Sequence, residues 1–119
     1  MPRSRCRISI YCLALALSLH GSAQATDQGI LHLAQCIKES GATFYGAHWC
    51  PHCSRQKKAF GESAYRLPYV ECYRSGSNKK SSECAHITGY PTWEFADGTV
   101  RNGYQSLAKL ASLTGCPAP

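Results

Sequence analysis

Two cysteines three positions apart, Cys50 and Cys53, enclose Pro51 and His52, with Trp49 directly before them. Paired thiols at this spacing have two common uses. They supply half of a zinc site, or they cycle between dithiol and disulfide. The surroundings favour the second use. Residues 42–47 hold Thr43, Phe44 and Tyr45 and read as a short strand, and residues 54–65 read as a helix that follows at once. The first thiol then stands at a helix start. There free N–H groups and the positive end of the dipole favour a thiolate, the nucleophile of disulfide exchange. The second thiol lies one turn further in, within reach of a mixed disulfide on the first. Pro51 suits the first turn, where no N–H is required.

The neighbouring residues suggest how such a pair is tuned. His52 can donate a hydrogen bond or a positive charge to a Cys50 thiolate, which stabilises the reduced form and makes the disulfide a stronger oxidant. Its alternative role is an exposed spacer. His48 is either a modulator or a surface residue. Trp49 either shields the pair and offers a flat apolar face to client peptides, or packs in the core. A zinc site would draw on Cys50, Cys53, Cys72 and Cys84, but nothing else in the sequence calls for a metal or another cofactor.

The elements that position this pair follow from hydrophobic spacing. Residues 27–39 read as a helix on Ile30, Leu31, Leu33, Ala34 and Ile37, with Asp27 as its cap. Residues 68–72 read as a second strand, 74–82 as a polar loop and 83–87 as a short helix. Residues 92–95 and 99–101 flank Asp97-Gly98 as a hairpin. Residues 106–113 form a last helix, stopped by Gly115. Two strands joined by a helix imply a parallel unit, and the hairpin adds antiparallel strands. The expected architecture is α/β, a minimal thioredoxin-like fold with a central mixed sheet and helices on both faces.

The first 25 residues read as a segment apart. Arg3, Arg5 and Arg7 precede an apolar run over residues 8–19, and Ala23-Gln24-Ala25 gives a small-x-small site. This is the pattern of a cleaved signal peptide, and the run is short for a spanning helix. An uncleaved anchor is the rival reading. Residues 1–25 are therefore taken as a signal and residues 26–119 as one domain, exported, with the periplasm as the first expectation and an extracellular or thylakoid-lumen site as alternatives. Without those three arginines, ten of the thirteen basic residues face seven acidic ones. That mild excess does not require nucleic acid, and Arg55, Lys57, Lys58, Lys79 and Lys80 read mainly as solvated surface. A monomer is expected.

Of eight cysteines in all, Cys6 and Cys12 would leave with the signal. Six remain, an even number suited to disulfides in an exported chain with a thin core. Cys36 ends the first helix and Cys116 follows the last, at the pole away from Cys50. A bridge joining the termini is the preferred reading, and free thiols or a link between two chains are the alternatives. Cys72 and Cys84 bracket the polar loop, as a structural bridge or as a second redox pair.

Three stretches carry a closer resemblance: residues 44–57 (Phe-Tyr-Gly-Ala-His-Trp-Cys-Pro-His-Cys-Ser-Arg-Gln-Lys), residues 67–72 (Leu-Pro-Tyr-Val-Glu-Cys) and residues 89–93 (Gly-Tyr-Pro-Thr-Trp). They resemble the thioredoxin-like domain of the bacterial and plant vitamin K epoxide reductase homologues. Residues 107–115 are similar to the end of that domain. In that family the domain is fused to a four-helix membrane bundle that passes electrons to quinone. The resemblance implies a thiol-disulfide oxidoreductase that donates disulfides to reduced cysteine-containing clients. Here it would be a stand-alone domain reoxidised by a separate membrane protein of the vitamin K epoxide reductase or DsbB kind. The Pro-His dipeptide resembles that of the DsbA-type periplasmic oxidases. A disulfide reductase or isomerase is the alternative within the chemistry, and a non-catalytic or zinc-binding interaction module is the alternative outside it. The resemblance also implies a cis Tyr90–Pro91 bond beside the cysteines, with the Tyr90 backbone free to pair with a client strand, and cysteines at the positions of Cys72 and Cys84. One departure stands out. Thioredoxin and DsbA carry a buried acid six residues before the first active cysteine, and here that residue is Phe44. Glu94 is the candidate substitute.

Overall fold

The computed structural model describes residues 25–119. The basic start, the apolar run, Cys6 and Cys12 lie outside the described residues. Helix α1 spans Asp27–Glu39, strand β1 Thr43–Gly46 and helix α2 Pro51–Ala59. Strand β2 spans Tyr69–Glu71, the hairpin strands β3 and β4 span Thr92–Glu94 and Val100–Asn102, and helix α3 spans Leu107–Thr114. Two short 3-10 helices intervene, Gly61–Arg66 after α2 and Ser82–Cys84 before the hairpin. Among the described residues no helix is long and apolar enough to cross a membrane.

The sheet runs in the order β2-β1-β3-β4. β1 and β2 are parallel, with Phe44 opposite Tyr69 and Gly46 opposite Glu71. β1 and β3 are antiparallel, with Phe44 opposite Trp93, and β3 and β4 close the hairpin. This is the expected mixed α/β sheet, compatible with a minimal thioredoxin-like fold. Side chains alternate across β1, so Phe44 and Gly46 share one face and Tyr45 takes the other. The Phe44 face carries the main core: Leu33, Ala34 and Ile37 of α1, Phe60, Trp93, and Leu110 and Ala111 of α3. Phe44 and Trp93 stack with centroids 4.7 Å apart, and truncating either ring would cost roughly 3–5 kcal/mol. The opposite face is covered thinly. Cys72, Cys84 and Ile87 form its buried centre, with Tyr45, Val70, Tyr73 and Tyr90 against them. Among the described residues the α-helices thus share one face, and the 3-10 helix Ser82–Cys84 lies on the second.

Three local expectations change. Thr26 caps α1, not Asp27: its extended backbone lies just outside the helix and its hydroxyl accepts from Gly29 N at 3.0 Å. The helix expected over 54–65 stops at Ala59, because the chain turns left-handed at Gly61 (φ 53°) and re-forms as a 3-10 helix. The short helix expected over 83–87 is the single 3-10 stretch Ser82–Cys84, held at Cys84 by its bridge to Cys72. The last helix keeps its expected limits within a residue: Ser106 caps it by accepting from Lys109 N, and Gly115 ends it in the left-handed conformation.

Cys36 is joined to Cys116 across 80 positions, with Cα atoms 6.0 Å apart, and Cys72 to Cys84 across 12 positions at 5.6 Å. α1 leads into the start of β1 whereas Cys50 follows its end, so the first bridge sits at the pole away from the active pair. Closing a loop that long restricts the unfolded chain by roughly 4–5 kcal/mol in the chain-entropy model. Replacing Cys36 and Cys116 together with serine should therefore lower the unfolding free energy by about 2–5 kcal/mol in urea titrations. An unchanged midpoint would mean that the bridge adds no stability.

Candidate functional site

Cys50 and Cys53 are the free cysteines among the described residues. β1 delivers the chain to the turn at Ala47–Trp49, where Cys50 N donates to Ala47 O at 3.0 Å. Cys50 is then the N-cap of α2, with Pro51 in the first turn. Its sulfur accepts from Cys53 N at 3.2 Å, so the Cys50 sulfur fills the place a serine or aspartate oxygen takes at other helix starts. Cys53 is sealed at 1% exposure and Cys50 keeps 5%. An incoming sulfur therefore meets Cys50. Burial first, and then its hydrogen bond with Cys50, push the Cys53 thiol up to about 12.

The aromatic surround is clear in the structure. Trp49 is 58% exposed, so it lies outside the core. Its ring leans on Tyr73 at 5.6 Å and Tyr90 at 6.0 Å. Tyr90–Pro91 is a cis bond. Pro91 is buried and its carbonyl accepts from Gly103 N at 2.8 Å. The ladder between β1 and β3 ends at Thr92, which leaves Tyr90 beyond it. His52 is exposed and makes no side-chain hydrogen bond among the described residues. His48 takes part through its backbone: its N–H donates to Glu71 Oε1 at 2.8 Å.

The other expected residues fall elsewhere. Glu94 lies on the sheet face opposite Trp93 and Cys53, paired with His86 at 2.7 Å, so strand alternation removes it as the substitute acid. Cys72 and Cys84 are fully buried and bonded to each other, and the zinc quartet is not assembled. Two of the basic residues read as solvated surface, the exposed Arg55 and the half-buried Lys57, also lie over aromatic rings. Lys57 Nζ sits 3.6 Å from the centre of Tyr69, and the Arg55 guanidinium 4.2 Å from that of Tyr104.

Four further residues complete the site. Gln56 is fully buried one turn after Cys53. Its Nε2 donates to Gln105 O at 2.9 Å, while its Oε1 accepts from Trp93 Nε1 at 3.2 Å and Gln105 N at 2.8 Å. This amide locks α2 to the sheet and to the segment before α3. Gly46 is a slot: a Cβ there would meet Tyr69 Cε2 at 2.5 Å and Cys53 Sγ at 3.2 Å. Tyr69 donates a hydrogen bond to Glu71 Oε2. Burial, then the Glu71 carboxylate, hold the Tyr69 hydroxyl protonated well above the usual tyrosine range. Sequence signals for these residues exist. Gln56 recurs at helical spacing on the Cys53 side, and Tyr69 and Glu71 are two apart on a strand, hence on one face.

A mixed sheet with a dithiol at the start of its crossover helix and a cis proline beside it defines a thioredoxin-like fold with a site suited to thiol-disulfide exchange. No known family model matches the chain. The chain is similar to the thiol-disulfide oxidoreductase LTO1 of Arabidopsis thaliana, with 45% identity over 89 residues. The match takes in 70% of this chain and 23% of that protein's length.

Two outcomes follow from this geometry. Gln56→Ala strands the Trp93 and Gln105 N–H groups and should lower stability by roughly 2–4 kcal/mol in urea titrations, whereas Gln56→Glu, which keeps the acceptor, should lose less. In Cys50→Ser, Cys53 should alkylate with iodoacetamide very slowly near neutral pH. A raised thiol value leaves the proton in place until high pH, so the rate should still climb past the ordinary value of 9.0 toward 12. A plateau near 9.0 would show that burial does not hold the proton.

Proposed function

We propose that this chain is an exported thiol-disulfide oxidoreductase that donates disulfides to cysteine-containing client proteins, most naturally in a periplasm, and is reoxidised by a membrane partner. The observation that carries the reading is the contrast among its cysteines. Four are closed into two bridges, while Cys50 and Cys53 stand as a dithiol at a helix start behind an exposed tryptophan. The likeness to a protein named as a thiol-disulfide oxidoreductase supports the exchange chemistry. Export rests on the pattern of residues 1–25, and the membrane partner on the resemblance to the vitamin K epoxide reductase homologues.

The steps follow from exposure. A client thiolate attacks the Cys50 sulfur of the oxidised pair and Cys53 leaves, giving a mixed disulfide. A second client thiolate attacks the client sulfur of that bond, and Cys50 departs. The client gains a disulfide and the chain holds two more electrons and two protons, to be removed by the partner. Trp49, Tyr73 and Tyr90 provide an apolar rest for the client beside Cys50.

The reduction potential of the Cys50–Cys53 pair tests the direction. Equilibration of residues 26–119 with glutathione buffers, followed by tryptophan fluorescence, should give a value nearer the DsbA level of about −120 mV than the thioredoxin level of about −270 mV. A value at the thioredoxin level would make the chain a reductase or isomerase.

A further inference from the structure

The exchange reading leaves one proton without a carrier. Cys53 must lose its proton whenever it attacks a mixed disulfide on Cys50, and regain one whenever it leaves, yet it is sealed from water. The position that holds an acid in thioredoxin and DsbA is Phe44, which is itself fully buried among rings. Glu94 is on the wrong face. The titratable groups around the Cys53 pocket are Lys57 of α2, whose amine is a donor held on the Tyr69 ring, and the Tyr69 and Glu71 pair of β2.

Tyr69 and Cys53 converge on Gly46. From the point where a Gly46 Cβ would stand, Tyr69 Oη lies 3.0 Å away and Cys53 Sγ 3.2 Å away. The hydroxyl and the thiol therefore both border the bare glycine, without a hydrogen bond between them. On its other side Tyr69 donates to Glu71 Oε2. Glu71 Oε1 is held in turn by His48 N at 2.8 Å and Tyr73 N at 3.3 Å. The carboxylate is thus fixed by three donors, in a half-buried position. The other titratable groups around Tyr69 and Glu71 are Lys57 of α2, whose amine rests on the Tyr69 ring, Tyr73 and Tyr90 from the thin face, and the two cysteines themselves.

We propose that Tyr69 and Glu71 form the proton relay of Cys53, with Tyr69 across Gly46 from the thiol, reaching it by a small shift of the hydroxyl, and Glu71 as the terminal acceptor behind it. In the reducing direction the Cys50 thiolate attacks a partner disulfide and expels one partner thiolate. Cys53 then passes its proton to Tyr69 Oη as Tyr69 passes its own to Glu71. The Cys53 sulfur attacks Cys50, the Cys50–Cys53 bond forms, and the Cys50–partner bond breaks with its electron pair on the second thiolate. In disulfide donation the same path runs backward and reprotonates the departing Cys53. Both acidic and basic duty fall to one pair because Tyr69 is a donor and an acceptor at once. Gly46 is what allows the ring to come so close.

The inference rests on the exchange reading, and one experiment separates the two. Reduced protein is mixed with excess dithiobisnitrobenzoate, which yields one coloured thiolate when Cys50 attacks and a second when Cys53 resolves the mixed disulfide. Cys53→Ser assigns the two releases. Tyr69→Phe, which keeps the ring in its slot, and Glu71→Gln, which keeps an acceptor for His48 N, should each slow the second release on the order of tenfold or more and leave the first within twofold. The second release in these variants should rise steadily with pH as hydroxide takes over, and Glu71→Asp should restore part of the rate. Absence of any rapid release from Cys50 would sink the exchange reading. A second release equal to that of the unaltered protein at every pH, or equal slowing of both releases, would overturn the relay alone.

Discussion

A thiol closed off from solvent cannot trade protons freely with water, and Cys53 is closed off almost completely. Its burial is a direct result of the β1–α2 connection. The strand ends at Gly46, the chain turns once through Ala47–Trp49, and the first turn of α2 drops Cys53 back onto the strand it has just left. The absent side chain at Gly46 makes room for both the sulfur and the Tyr69 ring. The parallel register then sets Glu71 beside Gly46, where it gathers the turn through His48 N. Each of these placements answers the same need: one sulfur must be reachable and its partner protected, a single turn apart.

The remainder of the fold holds that arrangement still. Gln56 shows how. A buried amide with a side chain on α2 and partners on β3 and the α3 approach makes the helix position a consequence of the sheet position. Losing any one of these contacts leaves a polar group stranded in a low-dielectric core. The thin face works differently. Its buried centre is small, and the Cys72–Cys84 bridge there takes the place of packing that a full helix would otherwise supply.

The Cys50–Cys53 pair and its place at a helix start were legible in the sequence because their signals are local. A cysteine spacing, a proline at a helix start and a strand just before it are all read within a dozen residues. The order of elements was legible for the same reason. The limits of α2 were not, since the left-handed turn at Gly61 depends on how Phe60 enters the core. Tyr69 and Glu71 carry no chemical signal of their own in the sequence beyond their place in the stretch of resemblance. Their spacing shows that Tyr69 and Glu71 share a face, but not that the face is Cys53's, which is settled by the register of β2 against β1. Glu94 failed in the mirror-image way: its strand was read correctly, but the side of the sheet it faces depends on Trp93 filling the core. The rings beneath Lys57 and the exposed Arg55 were not legible, because a long side chain can cover an aromatic face and still keep its charge in water.

The bond between Cys36 and Cys116 changes what kind of object the chain is. From residue 36 to residue 116 the covalent path is a ring, and the active pair lies within its circumference. A ring cut once is still a single piece. A peptide bond broken anywhere in the exposed loop between Tyr73 and Lys80 would leave no fragment free to depart, since the second bridge spans that loop as well. A molecule nicked there keeps both sides of the cut, and Cys50 with Cys53, in one covalent piece.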